Sequence, residues 1–283
     1  MNPNNAFLRP LVLAAFVATA TASSADAIWP NDHLNQAEDW IFDPYVDPAN
    51  NSWDVNPYIS VEADGVHART KCGSFTALLL KNAYSAITDQ VLTDLTGSNS
   101  PAADEWYAAI RDEKTSPSGI QFHKRTSVAS IQAGDILASA YTMTGDTGHV
   151  MTVKSVTLAA ANTTLPAGKT IDGVGAVNRY EVTVYDSTKS PHGAYSSNPA
   201  PDTRYKQVQP GGTIKWVNDQ GIGSGTIVIY EEASGSSQGR IVAWAWNVSP
   251  TTDSYYYAVT VTANPGGWGY RPMVAGSLDG PGL

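Results

Sequence analysis

A single cysteine, Cys72, occurs in the 283 residues of the chain. It stands directly before an apolar run with helical spacing. A lone cysteine cannot close an internal disulfide, so it is a free thiol, a link to another chain or a nucleophile. At a helix N-terminus its sulfur meets the positive end of the helix dipole and unbonded backbone N–H groups, which favour the thiolate. The same N–H groups can hold the oxyanion formed when a thiolate attacks a carbonyl. The competing reading is a small buried core residue, which fits less well beside Lys71, Gly73 and Ser74. A thiol nucleophile also needs a base. His149 opens the run Gly148-His149-Val150-Met151-Thr152-Val153, where period two puts it on one face with Met151 and Val153. By position alone it reads as a core histidine; paired with Cys72 it reads as the base. Asp186 closes the alternating run from Tyr180, on the face of Val182 and Val184. An isolated carboxylate on an apolar face is costly unless paired. An imidazole N–H would pair it and fix the histidine tautomer. The alternative is a strand-end aspartate capping a turn with Ser187 and Thr188, and both readings stand.

Helices and strands must position these groups. Phe75, Leu78, Leu79, Ala83 and Ala86 recur at helical spacing after Cys72. A second helix is expected near Ser100-Pro101, with Ser100 as N-cap, Pro101 first, and Asp104 and Glu105 in the first turn. It should end between Arg111 and Lys114. From Ile131 onward the pattern is one of strands: Asp135–Tyr141, His149–Leu158, Tyr180–Ser187, Thr213–Val217, Thr226–Glu231, Arg240–Val248 and Tyr255–Thr262. Residues 28–66 are rich in Asn, Asp and Pro and read as a loop-rich segment wrapped on the domain. Helices first and strands after argue for an α+β domain with a mainly antiparallel sheet.

The first 27 residues have the pattern of a secretory signal: Arg9, an apolar stretch Leu11 to Ala22, and a small-x-small site at Ala25-Asp26-Ala27. The mature chain would begin at Ile28 and be secreted or periplasmic, with no integral membrane anchor, since no later apolar run reaches ~18 residues. A formal charge of −9 argues against a nucleic-acid partner.

Four stretches together, TKCGSFTALLLKNAY, QAGDILA, TGHVMTV and VYDST, resemble the NlpC-like family of cell-wall cysteine peptidases. The resemblance covers about residues 58–190. It implies a circularly permuted papain-like fold, with N-terminal helices packed on a mainly antiparallel sheet and extra C-terminal strands. Residues 28–283 would then be one NlpC-like catalytic domain. It implies Cys72 as nucleophile, His149 as base and Asp186 as the orienting third member. Tyr58, Gly73 and Ser74 fall where the family places oxyanion or substrate contacts. The chain departs from the family pattern at Lys71-Cys72-Gly73-Ser74 and lacks a Gly-Gly pair after Tyr58. The long gap between His149 and Asp186 makes 159–179 an insertion.

Remaining signals point less sharply. His192, near Asp186 in sequence, is a candidate substrate contact or a solvent-exposed loop histidine. Gly221-Ile222-Gly223-Ser224-Gly225 lacks the end of a phosphate loop and reads as a turn. Trp244 and Trp246 share a strand face and read as core before sugar-stacking platform. No ligand spacing for a metal is present and no cofactor is expected. The expected activity is an exported, monomeric cysteine peptidase or amidase acting on peptidoglycan stem peptides or another peptide. Two readings compete with hydrolysis: a silent module of the same fold that binds glycan or protein, and an acyltransferase using the same three residues.

Overall fold

The computed structural model describes residues 32–42, 51–54, 56–62, 65–141, 146–193, 202–208, 212, 215–249, 256–259 and 269–283. The expected signal segment and its cleavage site lie outside them. Among the described residues, no helix is long and apolar enough to cross a membrane.

The architecture is α+β. Helix α1 (Asp32–Phe42) comes first, followed by a small sheet of β1 (Asn51–Ser52), β2 (Tyr58–Glu62) and β3 (Gly65–Arg69), ordered β1-β3-β2. The segment expected to be loop-rich therefore contains a helix and strands. His33, Ala37 and Trp40, one helical face, are buried. The His33 ring ties α1 down: it accepts from the Tyr84 hydroxyl at 2.7 Å and donates to Gly134 O at 2.9 Å.

Three helices follow: α2 (Cys72–Ala83), α3 (Asp89–Thr96) and α4 (Ala103–Arg111). The expected start of α4 is displaced. Its N-cap is Ala102, whose N–H donates to the Glu105 carboxylate at 2.7 Å. The glutamate thus does the capping that Ser100 was expected to do. Helix α3 runs from an N-cap at Thr88, which accepts from Val91 N–H, to a left-handed Gly97.

The rest of the chain builds a nine-stranded sheet from β4 (Gln121–Lys124), β5 (Ile136–Ala140), β6 (Gly148–Thr163), β7 (Val177–Thr188), β10 (Gly221–Glu232), β11 (Ile241–Ala245), β12 (Tyr256–Ala258), β13 (Gly269–Tyr270) and β14 (Met273–Asp279). The intervening β8 (Tyr205–Val208) and β9 (Lys215–Asn218) form a separate ribbon. The sheet order is β13-β12-β11-β10-β7-β6-β5-β14-β4, antiparallel except at β12–β13. Both faces are covered. On β5, Ile136 and Ala138 join the cluster under α2, α3 and α4, while Leu137 joins the opposite cluster with Met151, Val184 and Trp244.

Two expectations are corrected. The segment 159–179 is largely an extended hairpin: β6 continues to Thr163, β7 starts at Val177, and register shifts between the two absorb the extra residues. Residues 221–225 are not a turn but the start of β10, paired with β7 from Gly221↔Thr188 to Gly225↔Val184. The glycines there answer close neighbours, described next.

Candidate functional site

Cys72 is the first residue of α2, half-buried. The extended Lys71 precedes it, with its N–H donating to Ser74 Oγ at 2.9 Å and Ser74 Oγ donating back to Lys71 O at 3.1 Å. The first intrahelical bond, Phe75 N–H to Lys71 O, is 2.8 Å. The N–H groups of residues 72–74 lie ahead of it, where a helix N-terminus can receive negative charge. Phe75 and Leu79 on the next turns are buried against Trp40 and Tyr185, which fixes α2 on the sheet. A Cβ at Gly73 would collide with Pro101 O. Glycine there lets the 101–103 segment close on the helix start.

His149 follows Gly148, which has φ of 130° and no room for a Cβ beside Ser139 O. Only glycine accepts both constraints, and the turn delivers His149 to the Cys72 end of β6. Its Nε2 lies 2.5 Å from Asp186 Oδ2 on neighbouring β7. Its ring packs edge-on to Trp246 at 4.8 Å. With Nε2 committed to Asp186, Nδ1 is the nitrogen left for the Cys72 thiol, and both residues line the same cleft. Burial alone would push the Cys72 thiol up. The His149 charge and hydrogen bond, with the N–H groups of Val150 and Gly73, outweigh it, so the thiol sits below its ordinary value. Burial alone would push His149 down. The Cys72 charge, the Asp186 hydrogen bond, the Cys72 hydrogen bond and the Asp186 charge reverse this and push it up to about 9. Each partner thus favours the charged form of the other.

Asp186 is fully buried and sits in a network that sequence reasoning missed. His192 Nε2 reaches the same Oδ2 at 3.0 Å, and His192 Nδ1 donates to Trp246 O at 3.0 Å. Arg204 NH1 lies 2.8 Å from Oδ1, but its hydrogens are directed to the main-chain oxygens of Asp186 (3.1 Å) and Gly221 (3.0 Å). Oδ1 is therefore ion-paired without accepting a hydrogen bond. Asp202 holds Arg204 with both oxygens, at 2.9 and 2.7 Å, and accepts the His192 N–H at 2.8 Å. Burial would raise the Asp186 carboxyl. The charges of Arg204 and His192 and hydrogen bonds from His149 and His192 hold it well below the usual carboxylate range. The network lies on the glycines of β10. A Cβ on Gly223 would lie 2.9 Å from Arg204 side-chain atoms, and one on Gly225 2.5 Å from both Asp202 Oδ2 and His192 Cδ2.

A cleft of about 760 Å³ opens over Cys72 and His149, lined also by Gly73, Ser74, Thr188 and Trp246. The structure brings Cys72, His149, Asp186, Gly73 and Ser74 together. Ser74 Oγ, however, is spent on the helix cap, so only its backbone faces the cleft chemistry. Tyr58 is not there. It is exposed on β2 under the Arg69 guanidinium, 5.7 Å away, and only its neighbour Pro57 reaches the lining. His192 is neither exposed nor a cleft residue: it is fully buried behind Asp186. Trp244 is core, whereas Trp246 is buried yet reaches the cleft. His149, Asp186 and His192 offer ligand atoms within 4.8 Å of one another. Both imidazoles are aimed at one oxygen, and the Arg204 guanidinium already neutralises the carboxylate, which opposes a dication at that point.

No family model and no solved structure matches the chain. A curated protein of Acanthamoeba polyphaga mimivirus, described as uncharacterized, is 26% identical over 214 residues, which cover 74% of this chain and 78% of that protein.

Proposed function

We propose that the protein is a cysteine amidase or peptidase. One observation carries the reading: the thiol at the start of α2 shares a cleft with a histidine whose Nε2 is locked on a buried aspartate, and thiol and imidazole each favour the other's charged form. In the reaction, Cys72 Sγ attacks the amide carbonyl carbon, and the oxygen takes negative charge beside the N–H groups of residues 72–74. The C–N bond breaks as His149 gives its Nδ1 proton to the leaving amine. The acyl group is left on sulfur as a thioester. Water then attacks, passing a proton to His149. The C–S bond breaks, the carboxylic acid leaves and the thiol–imidazole pair is restored. Asp186 does not exchange protons; it holds the imidazole and favours its charged form.

The resemblance to NlpC-like enzymes extends the proposal to a permuted papain-like topology, action in the cell envelope and peptidoglycan stem peptides as substrate. The order helix, then paired strands, agrees with that topology. Digestion of purified peptidoglycan tests it: mass spectrometry of the fragments should show new free amine and carboxyl ends with the wild type and none with Cys72→Ala. Wild-type protein that leaves stem peptides and general peptide amides uncut defeats the reading.

A further inference from the structure

The cleft carries charges that the thiol chemistry does not use. Arg271 is on its wall, with its backbone fixed by N–H donation to Ala258 O at 3.0 Å and acceptance from Trp244 Nε1 at 3.0 Å. Its guanidinium lies between two rings, 3.7 Å from the centre of Tyr141 and 4.0 Å from that of Tyr257. Both rings are within cation–π reach, which restrains the guanidinium. Among the described residues, no acceptor takes its side-chain N–H groups and no carboxylate pairs with it. Across the lining, Trp53 gathers two more cations: Lys189 Nζ is 4.0 Å and Lys71 Nζ 4.9 Å from its ring centre. The carboxylate opposing these three is Asp146, whose Oδ1 already accepts the Gly148 N–H at 3.1 Å. This cationic lining belongs to a chain whose formal charge is −9, so it is local to the cleft.

We propose that Arg271, fixed between Tyr141 and Tyr257, is a subsite for a substrate carboxylate, with Lys71 and Lys189 forming a second cationic station. A fork of in-plane N–H donors matches the two oxygens of a carboxylate. Cation–π contacts to the two rings do not use those N–H donors, which stay free for an anion. The substrate is therefore an anionic peptide amide, with a free carboxylate placed away from the bond that Cys72 attacks. The inference rests on the amidase reading for the nature of that bond.

Two alkylating agents of similar size separate the claims. Iodoacetate carries a carboxylate and iodoacetamide does not, so the ratio of their rates at Cys72 cancels the thiolate fraction. In the full-length mature protein at low salt, this ratio should exceed that of N-acetylcysteine amide by roughly tenfold and should fall with added salt. Arg271→Gln should bring it down towards the small-thiol value, and Arg271→Lys, which keeps the charge without the fork, should be intermediate. A wild-type ratio equal to the small thiol's overturns the subsite, as does an Arg271→Gln protein that keeps the full ratio. In those cases fast iodoacetamide reaction leaves the amidase reading standing. A Cys72 slow towards both reagents removes the amidase reading, and the subsite with it.

Discussion

Replacing Asp186 by asparagine tests the site without changing its shape. The new amide can face two ways. Its NH2 group cannot sit where Oδ1 is, 2.8 Å from the Arg204 cation, so it takes the Oδ2 position. There it faces Nε2 of both His149 and His192. An NH2 donor requires His149 Nε2 to accept, which moves the ring proton to Nδ1. The nitrogen facing Cys72 then holds a proton and cannot receive the thiol's. The imidazolium also loses its anionic partner. The rise of His149 from 6.5 to about 9 corresponds to about 3 kcal/mol in favour of the charged ring. Asp186 supplies that shift jointly with Cys72, and in the variant the thiolate fails along with it. A loss of about 3 kcal/mol is a hundredfold in rate. Asp186→Asn should therefore lower kcat about a hundredfold or more, with KM little changed, because no substrate contact is removed. Iodoacetamide labelling of Cys72 near neutral pH should slow in step, which checks the effect without any substrate. A folded variant, with near-wild-type thermal unfolding, that labels and turns over as fast as wild type would refute the reasoning.

Turnover should follow a bell-shaped pH profile, rising through the lowered value of Cys72 as thiolate forms and falling through about 9 as His149 loses its proton; a profile still climbing above pH 10 contradicts the pair. Carboxamidomethylation of Cys72 removes the thiolate charge, so NMR titration of the modified protein should find His149 below about 9. His149→Ala should abolish turnover while retaining the fold, as judged by near-ultraviolet circular dichroism; appreciable rates in the folded variant would exclude its role. Gly225→Ala should destabilise the protein by about 1–3 kcal/mol in denaturant titration and lower activity, because its methyl group displaces His192 and Asp202.

What was legible in the sequence followed local pattern. Cys72 reads as a helix start because apolar spacing begins directly after it, and Val182, Val184 and Asp186 share a face because period two survives to the end of β7. Helix α3 went unread, although Thr88 as cap, Val91, Leu92 and Leu95 on one side and Gly97 at the end marked it. Helix α1 was hidden by its polar composition, although His33, Ala37 and Trp40 have helical spacing. What was not legible depends on residues far apart in the chain. Nothing near His192 reveals that it is buried on Asp186, and nothing in Asp202-Thr203-Arg204 shows that the arginine crosses to β7. The glycines of β10 suggested a turn because a strand normally needs side chains. Here the needed side chains come from residues 192, 202 and 204, and the strand's part is to leave room for them.

That row of absent side chains makes β10 part of the site without contributing a reactive atom. Gly221, Gly223 and Gly225 alternate with Ile222 and Ser224, and a Cβ at each of the three meets Asn51, Arg204, or Asp202 and His192. In a saturation library screened for activity, the strand should appear as a comb: every second position rejects even alanine, while Ile222 tolerates other aliphatic residues. Any single-base change that alters the amino acid at one of these glycine codons adds a side chain. This stretch is therefore constrained against drift, although a search for reactive groups would pass over it.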